Sequence, residues 1–241
     1  MNRLTWLLIF MVQPASGCAT AESKPTGPRL VAYKPGVRID WTTRQIEVDA
    51  EVVLREGPLE LLACSPETKE HESLLRVDAR GSHIYEAMGL IGLTPGHPVL
   101  WDEQNERLIP ATGDVLDVRI RFERDNMSQT VAAHDWLWDA ERKKPMKPTR
   151  WLFTGSQRLE DGRLFVDLDG TVVTVVNFTS ALISLPDSHS SDNAALWLEP
   201  HPQRVPEKGT RCVLLIRAAP SSSSSQPATS QPSSQPSKTT S

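Results

Sequence analysis

Two stretches of the chain carry residue types whose spacing could do chemistry. Phe165-Val166-Asp167-Leu168-Asp169-Gly170-Thr171 places two carboxylates either side of one apolar residue. At the end of a buried strand, that spacing lets Asp167 attack phosphorus and Asp169 act as general acid and base, with a magnesium ion between them. The second stretch, Cys64-Ser65-Pro66-Glu67-Thr68-Lys69-Glu70-His71-Glu72-Ser73, packs metal-capable groups between two apolar runs. A zinc-binding His-Glu-x-x-His would need His at position 75, where Leu75 stands, so a helix presenting two His ligands is absent. In an extended chain Glu70 and Glu72 would point one way and His71 the other. The pair could bind a divalent ion or poise one carboxylate as a base. The plainer reading is a solvated loop whose glutamates pair with Lys69 or Arg76.

Other candidates are thinner. His134-Asp135 lies in a strand-like run, where a lone His is usually structural. Ser156, in Phe153-Thr154-Gly155-Ser156, lacks the Gly-x-Ser-x-Gly elbow of a serine hydrolase. His189-Ser190-Ser191-Asp192-Asn193 reads as loop and cap chemistry. Trp136, Trp138, Trp151 and Trp197 could floor a sugar or peptide groove, although in a small β domain such residues mostly fill the core.

The elements that must position these residues are mostly strands. Residues 37–41 and 45–52 alternate apolar and polar around a turn at 42–44, which predicts an opening hairpin. Further strand-like runs are 59–64, 115–123, 130–138, 151–154, 164–167, 171–178 and 212–217. One helix is predicted near residues 82–92, with Ile84, Ala87, Met88 and Ile91 on one face, Ser82 as N-cap and Gly92 and Pro95 as stops. The expected class is a single β-rich α+β domain of about nine or more short strands and one helix. There is no βαβ rhythm. The acidic pentapeptide resembles that of the haloacid dehalogenase phosphatases, but their fold needs on the order of 100 residues of doubly wound chain after it. The β-branched run Thr171 to Val176 follows here instead, so the phosphatase reading is rejected. Asp169-Gly170 is predicted to be a two-residue hairpin turn.

The ends read differently. Residues 1–18 have a basic start, an apolar core and Ala15-Ser16-Gly17-Cys18, the pattern of a lipoprotein signal with Cys18 acylated; the rival is plain cleavage after Ala19-Thr20-Ala21, which would discard Cys18. The expectation is an exported cell-envelope protein held to the membrane by lipid, with residues 19–36 as a flexible tether. Residues 37–219 are the folded domain, and 220–241 form a disordered tail in which Ser-Gln-Pro recurs. The net charge is −4, and removing the leader with its Arg3 makes it −5. No basic stripe or Lys/Arg block stands out, which makes a nucleic-acid partner improbable. Cys64 and Cys212 could pair in an oxidising compartment or stay as buried thiols.

From Gly57-Pro58-Leu59-Glu60 through Thr68-Lys69-Glu70-His71-Glu72-Ser73, the chain resembles the YdjY-domain family of bacterial proteins. The likeness continues through the helix, Trp151 to Ser156, Val176-Asn177-Phe178, Leu185-Pro186, Ser190 to Asn193 and Pro206 to Thr210, covering roughly residues 37–217. The resemblance implies no reaction, substrate, cofactor or metal. The family's recurring Glu-His-Glu-Ser core matches Glu70, His71, Glu72 and Ser73, which marks them as the candidate functional cluster. Two expectations follow: a noncatalytic module binding a protein or small-molecule ligand, or a metal-assisted or acid–base enzyme centred on Glu70-His71-Glu72. The first is preferred.

Overall fold

The computed structural model describes residues 30–220 except Ser188, Ser191, Asn193 and Ala194. Cys18 and the Ser/Gln/Pro tail lie outside the described residues. In chain order the strands are β1 (Leu30–Lys34), β2 (Val37–Asp40), β3 (Gln45–Val52), β4 (Leu61–Cys64) and β5 (Ser73–Val77). The helix α1 (Gly81–Leu90) follows, then β6 (Leu100–Asp102), β7 (Arg107–Ile109), β8 (Val115–Arg124) and β9 (Met127–Ala132). A 3-10 turn at Ala133–Trp136 leads to β10 (Leu137–Asp139), β11 (Lys144–Pro145) and β12 (Trp151–Phe153). The remainder is α2 (Val166–Asp169), β13 (Thr171–Thr174), β14 (Ile183–Ser184), β15 (Leu198–Pro200) and β16 (Arg211–Ala218).

Strands β3, β16, β8, β12, β14, β13, β4 and β5 pair in that order, and β5 pairs back onto β3, closing an eight-stranded barrel. The long strands split their outer edges to make this possible. The first half of β3 pairs with β2 and its second half with β5, while β8 pairs with β12 at its start and β9 at its end. Period-two alternation fills the interior. Ile46, Val48, Ala50 and Val52 of β3, Leu116, Val118, Ile120 and Phe122 of β8, and Cys212, Leu214 and Ile216 of β16 are all buried. Each such aliphatic side chain taken from water contributes about 1.5–3 kcal/mol. The outward positions carry charge: Arg121 reaches Glu47 at 2.6 Å, Arg38 reaches Asp49 at 2.7 Å, and Arg119 and Arg217 share Asp117.

The architecture corrects the expected α+β class. The domain is a closed barrel, mostly sheet, and α1 is the one helix longer than a single turn among the described residues. A lone amphipathic helix did not signal a helical layer; α1 lays Ile84, Ala87 and Met88 against the barrel core. Its predicted N-cap also shifts. Arg80 takes that position, and the Ser82 amide donates instead to the Asp167 carboxylate at 2.8 Å. The opening hairpin forms as expected, with Asp40 accepting from the Thr42 and Thr43 amides. Residues 30–34, read as tether, pair with β2 as β1.

The expected Asp-Gly hairpin is also overturned. Residues 166–169 make one helical turn, ended by Gly170 at φ +79°, and β13 pairs with β4 and β14. A type I′ hairpin needs positive φ at both central residues, and here only Gly170 has it. Gly170 also lies so close to Thr68 that an added Cβ would clash with its side chain. Cys64 and Cys212 are free and buried. Strands β5 and β3 separate them, about 14 Å at the usual strand spacing and beyond disulfide reach.

Candidate functional site

The Glu-His-Glu-Ser segment lies in the loop that joins β4 to β5, and these strands run parallel. Parallel neighbours usually need a crossover of a dozen or more residues, so residues 65–72 must double back tightly. Local bonds hold the bend: Glu70 Oε1 accepts the Glu67 amide at 2.6 Å, Thr68 Oγ1 donates to the Ser65 carbonyl, and Glu67 takes φ +60°. The Glu72 carbonyl accepts the amides of Glu60 and Leu61, stitching the loop's end to the start of β4.

This fold-back builds a polar cluster. Lys69 Nζ lies 3.4 Å from Asp169 Oδ1, 3.9 Å from Glu72 Oε1 and 4.0 Å from the centre of the Phe178 ring. Glu60 is nearly buried, and its carboxyl meets that of Glu72. Burial, then the Glu72 charge, raise Glu60 above the ordinary glutamate value, with Lys69 opposing. Burial alone would raise Asp169 too. Hydrogen bonds from Ser180 and Thr171, with the Lys69 charge, outweigh it and hold Asp169 below its ordinary value. The two stretches that stood apart in the sequence therefore meet through Lys69 and Asp169. Asp167 points elsewhere, capping α1, and shares no site with Asp169.

The members of the candidate cluster separate. Ser73 is fully buried on β5 against the Cys64 thiol. Burial pushes both thiols up, Cys212 to about 12. The His71 side chain is 78% exposed, with Nε2 3.6 Å from Glu72 Oε2, whereas Glu72 is only 22% exposed and turned toward Lys69. Glu70 and His71 do line a common depression with Glu51, Arg76 and Lys208, but Glu51 is engaged by Arg76 and Arg211. Among the described residues, no three His, Cys, Asp or Glu side chains come together as a metal site.

A second region was missed as a site by sequence reasoning. A cleft of 490 Å³ opens beside the small sheet β11-β10-β15, lined by Arg142, Met146, Lys147, Leu185, His189 and Trp197 among others. Its volume falls in the range of small-ligand pockets. His189 packs against Trp197 with ring centres 4.6 Å apart and planes tilted by 35°. Burial, with help from Arg142, pushes His189 below its ordinary value against the pull of Asp187, which favours the neutral ring. Trp197 was the one useful signal. Trp136 and Trp151 are core, and Trp138 meets His201 edge-on at 5.2 Å. His134 is half-buried, and burial lowers it. Ser156 Oγ accepts the Val166 amide, and Ser190 Oγ accepts that of Asp192.

The cleft and the polar cluster adjoin. Asn177 and His189 exchange two hydrogen bonds, and Asn177 precedes the Phe178 that lies under Lys69. A closed β-barrel with a tied-back acidic loop and a lateral aromatic cleft is thus the class of domain. The YdjY domain family model matches residues 37–217, and the chain belongs to that family. Comparisons with curated proteins and with solved structures returned no match.

Proposed function

We propose that this protein is a noncatalytic binding module of the cell envelope, exported and held to a membrane through acylated Cys18. Its cleft takes a small polar ligand with one apolar face, such as a saccharide or muramyl peptide fragment. The observation that carries this reading is the His189–Trp197 platform in a cleft whose rim offers both cations and carboxylates. Flat rings accept the C–H face of a sugar, and charged side chains at the rim bond its hydroxyls. The polar groups of the family segment largely satisfy one another, Lys69 with Glu72 and Asp169, which suits a structural latch behind the cleft.

The binding test is a fluorescence titration with N-acetylglucosamine oligomers and muramyl dipeptide. Saturable binding is expected for the parent chain, weakened about tenfold or more by Trp197→Ala, in the range of a lost interface aromatic. No saturable change with any probe contradicts the reading. Anchoring is tested by labelling cells with a fatty-acid probe; label that persists in Cys18→Ala refutes it.

One observation favours a second reading, acid–base catalysis. Glu60 is raised by burial and shares a carboxyl contact with Glu72 next to Lys69, an arrangement that favours the protonated carboxyl of a general acid. Turnover of any probe that is lost in both Glu60→Gln and Glu72→Gln would favour it.

A further inference from the structure

We propose that the face carrying Lys143, Lys144, Lys147 and Arg150 docks onto an anionic lipid surface. Directly after the exposed Glu141, residues 142–150 hold five basic side chains and no acidic one, a Lys/Arg block that the sequence reading above passed over. Every residue from 142 to 150 is exposed except Met146 and Thr149, which are half-buried. The segment forms the short edge strand β11 and the chain after it, with Pro145 and Pro148 limiting further pairing.

The density of unpaired cations sets this run apart. Four basic side chains on the barrel wall are neutralised: Arg38 and Arg121 by Glu47 and Asp49, Arg76 and Arg211 by Glu51 and Asp78. Arg142 is held by the buried Asp139 at 2.9 Å. Lys143, Lys144, Lys147 and Arg150 make no ion pair among the described residues. Arg150 also borders a hollow with Arg119 and Arg217, two guanidiniums that share the one carboxylate of Asp117 and leave a further positive excess. In a chain of net charge −4, four cations without an ion pair thus fall between residues 143 and 150.

An anionic headgroup layer is the partner that fits. It presents many singly charged groups in a plane, needs no shaped pocket, and attracts each nearby Lys or Arg independently. Residues 19–29 span at most about 40 Å, near the diameter of a domain this size. A lipid on Cys18 would thus leave this face free to reach the bilayer. The proposal rests on the anchoring reading only for its biological setting, and its test avoids the anchor.

The experiment is co-sedimentation of the chain from Ala19 to Ser241, which keeps every described residue, with vesicles of phosphatidylglycerol or of phosphatidylcholine. Binding to the anionic vesicles alone is expected, weakening as salt rises. Combined Lys143→Gln, Lys144→Gln, Lys147→Gln and Arg150→Gln should weaken it at least about a hundredfold, from roughly fivefold per cation. Circular dichroism checks that this surface variant folds. Equal binding to both lipids, no binding, or unchanged binding by the variant overturns the proposal. Preference for soluble polyphosphate over vesicles overturns its membrane partner. Failure of Cys18 labelling would leave these outcomes untouched.

Discussion

Lys69 faces the three carboxyl groups of Glu60, Glu72 and Asp169, and their unequal surroundings push two of them in opposite directions. Glu60 is raised in the folded state, so its contribution to stability is full at acid pH and is lost as pH rises through that raised value. Asp169 is lowered, so its contribution is present at neutral pH and is lost as pH falls through the lowered value. Glu60→Gln mimics the protonated side chain. It should raise the Tm at pH 8, with a gain of up to about 1 kcal/mol for a cluster that solvent reaches. The gap should close below about pH 4, where Glu60 is protonated in both states; a pH-independent gap would contradict the assignment. Glu70 to Ser73 stood out locally as an unusual segment. Lys69's meeting with Asp169, and the approach of Glu60 to Glu72, are long-range contacts set by the doubling back of residues 65–72, and no local pattern announces them.

At the scale of elements, α2 carries the lesson of its own pentapeptide. Asp-Gly between β-branched runs fits a hairpin on local propensity, yet β13 finds its partners in β4 and β14 and leaves residues 166–169 free to coil. Tertiary pairing overrode the turn signal. Asp167→Ala should then cost about 1 kcal/mol through the lost cap on Ser82, measured by urea denaturation, while Asp167→Asn keeps most of it. An equal loss in both would contradict the capping role. Gly170 and Gly162 both sit at positive φ, but an alanine Cβ at Gly162 meets open space. Gly162→Ala should cost about 1 kcal/mol for the backbone alone. Gly170→Ala should cost clearly more, about 3 kcal/mol, because Thr68 must also move.

For the whole molecule, alternation in residues 45–52, 115–123 and 212–217 made the long barrel strands legible, because one face of each must be buried. Closure was not legible. It depends on β5 returning to β3 and on short strands such as β12 and β14, whose few residues carry no clear period. The cleft was hidden for the same reason: β10, β11 and β15 are two or three residues long, and they bring Arg142 and Lys147 up to Trp197, which is distant in the chain. The central claim is that this cleft, and not the Glu70–His71–Glu72 turn, receives ligand. Amide chemical-shift mapping of the chain titrated with N-acetylglucosamine oligomers and muramyl dipeptide tests it most directly. Saturable shifts centred on Arg142, Lys147, His189 and Trp197, without change in the probe, are the predicted result. Shifts centred on Glu70 to Glu72, or conversion of the probe to product, would contradict it.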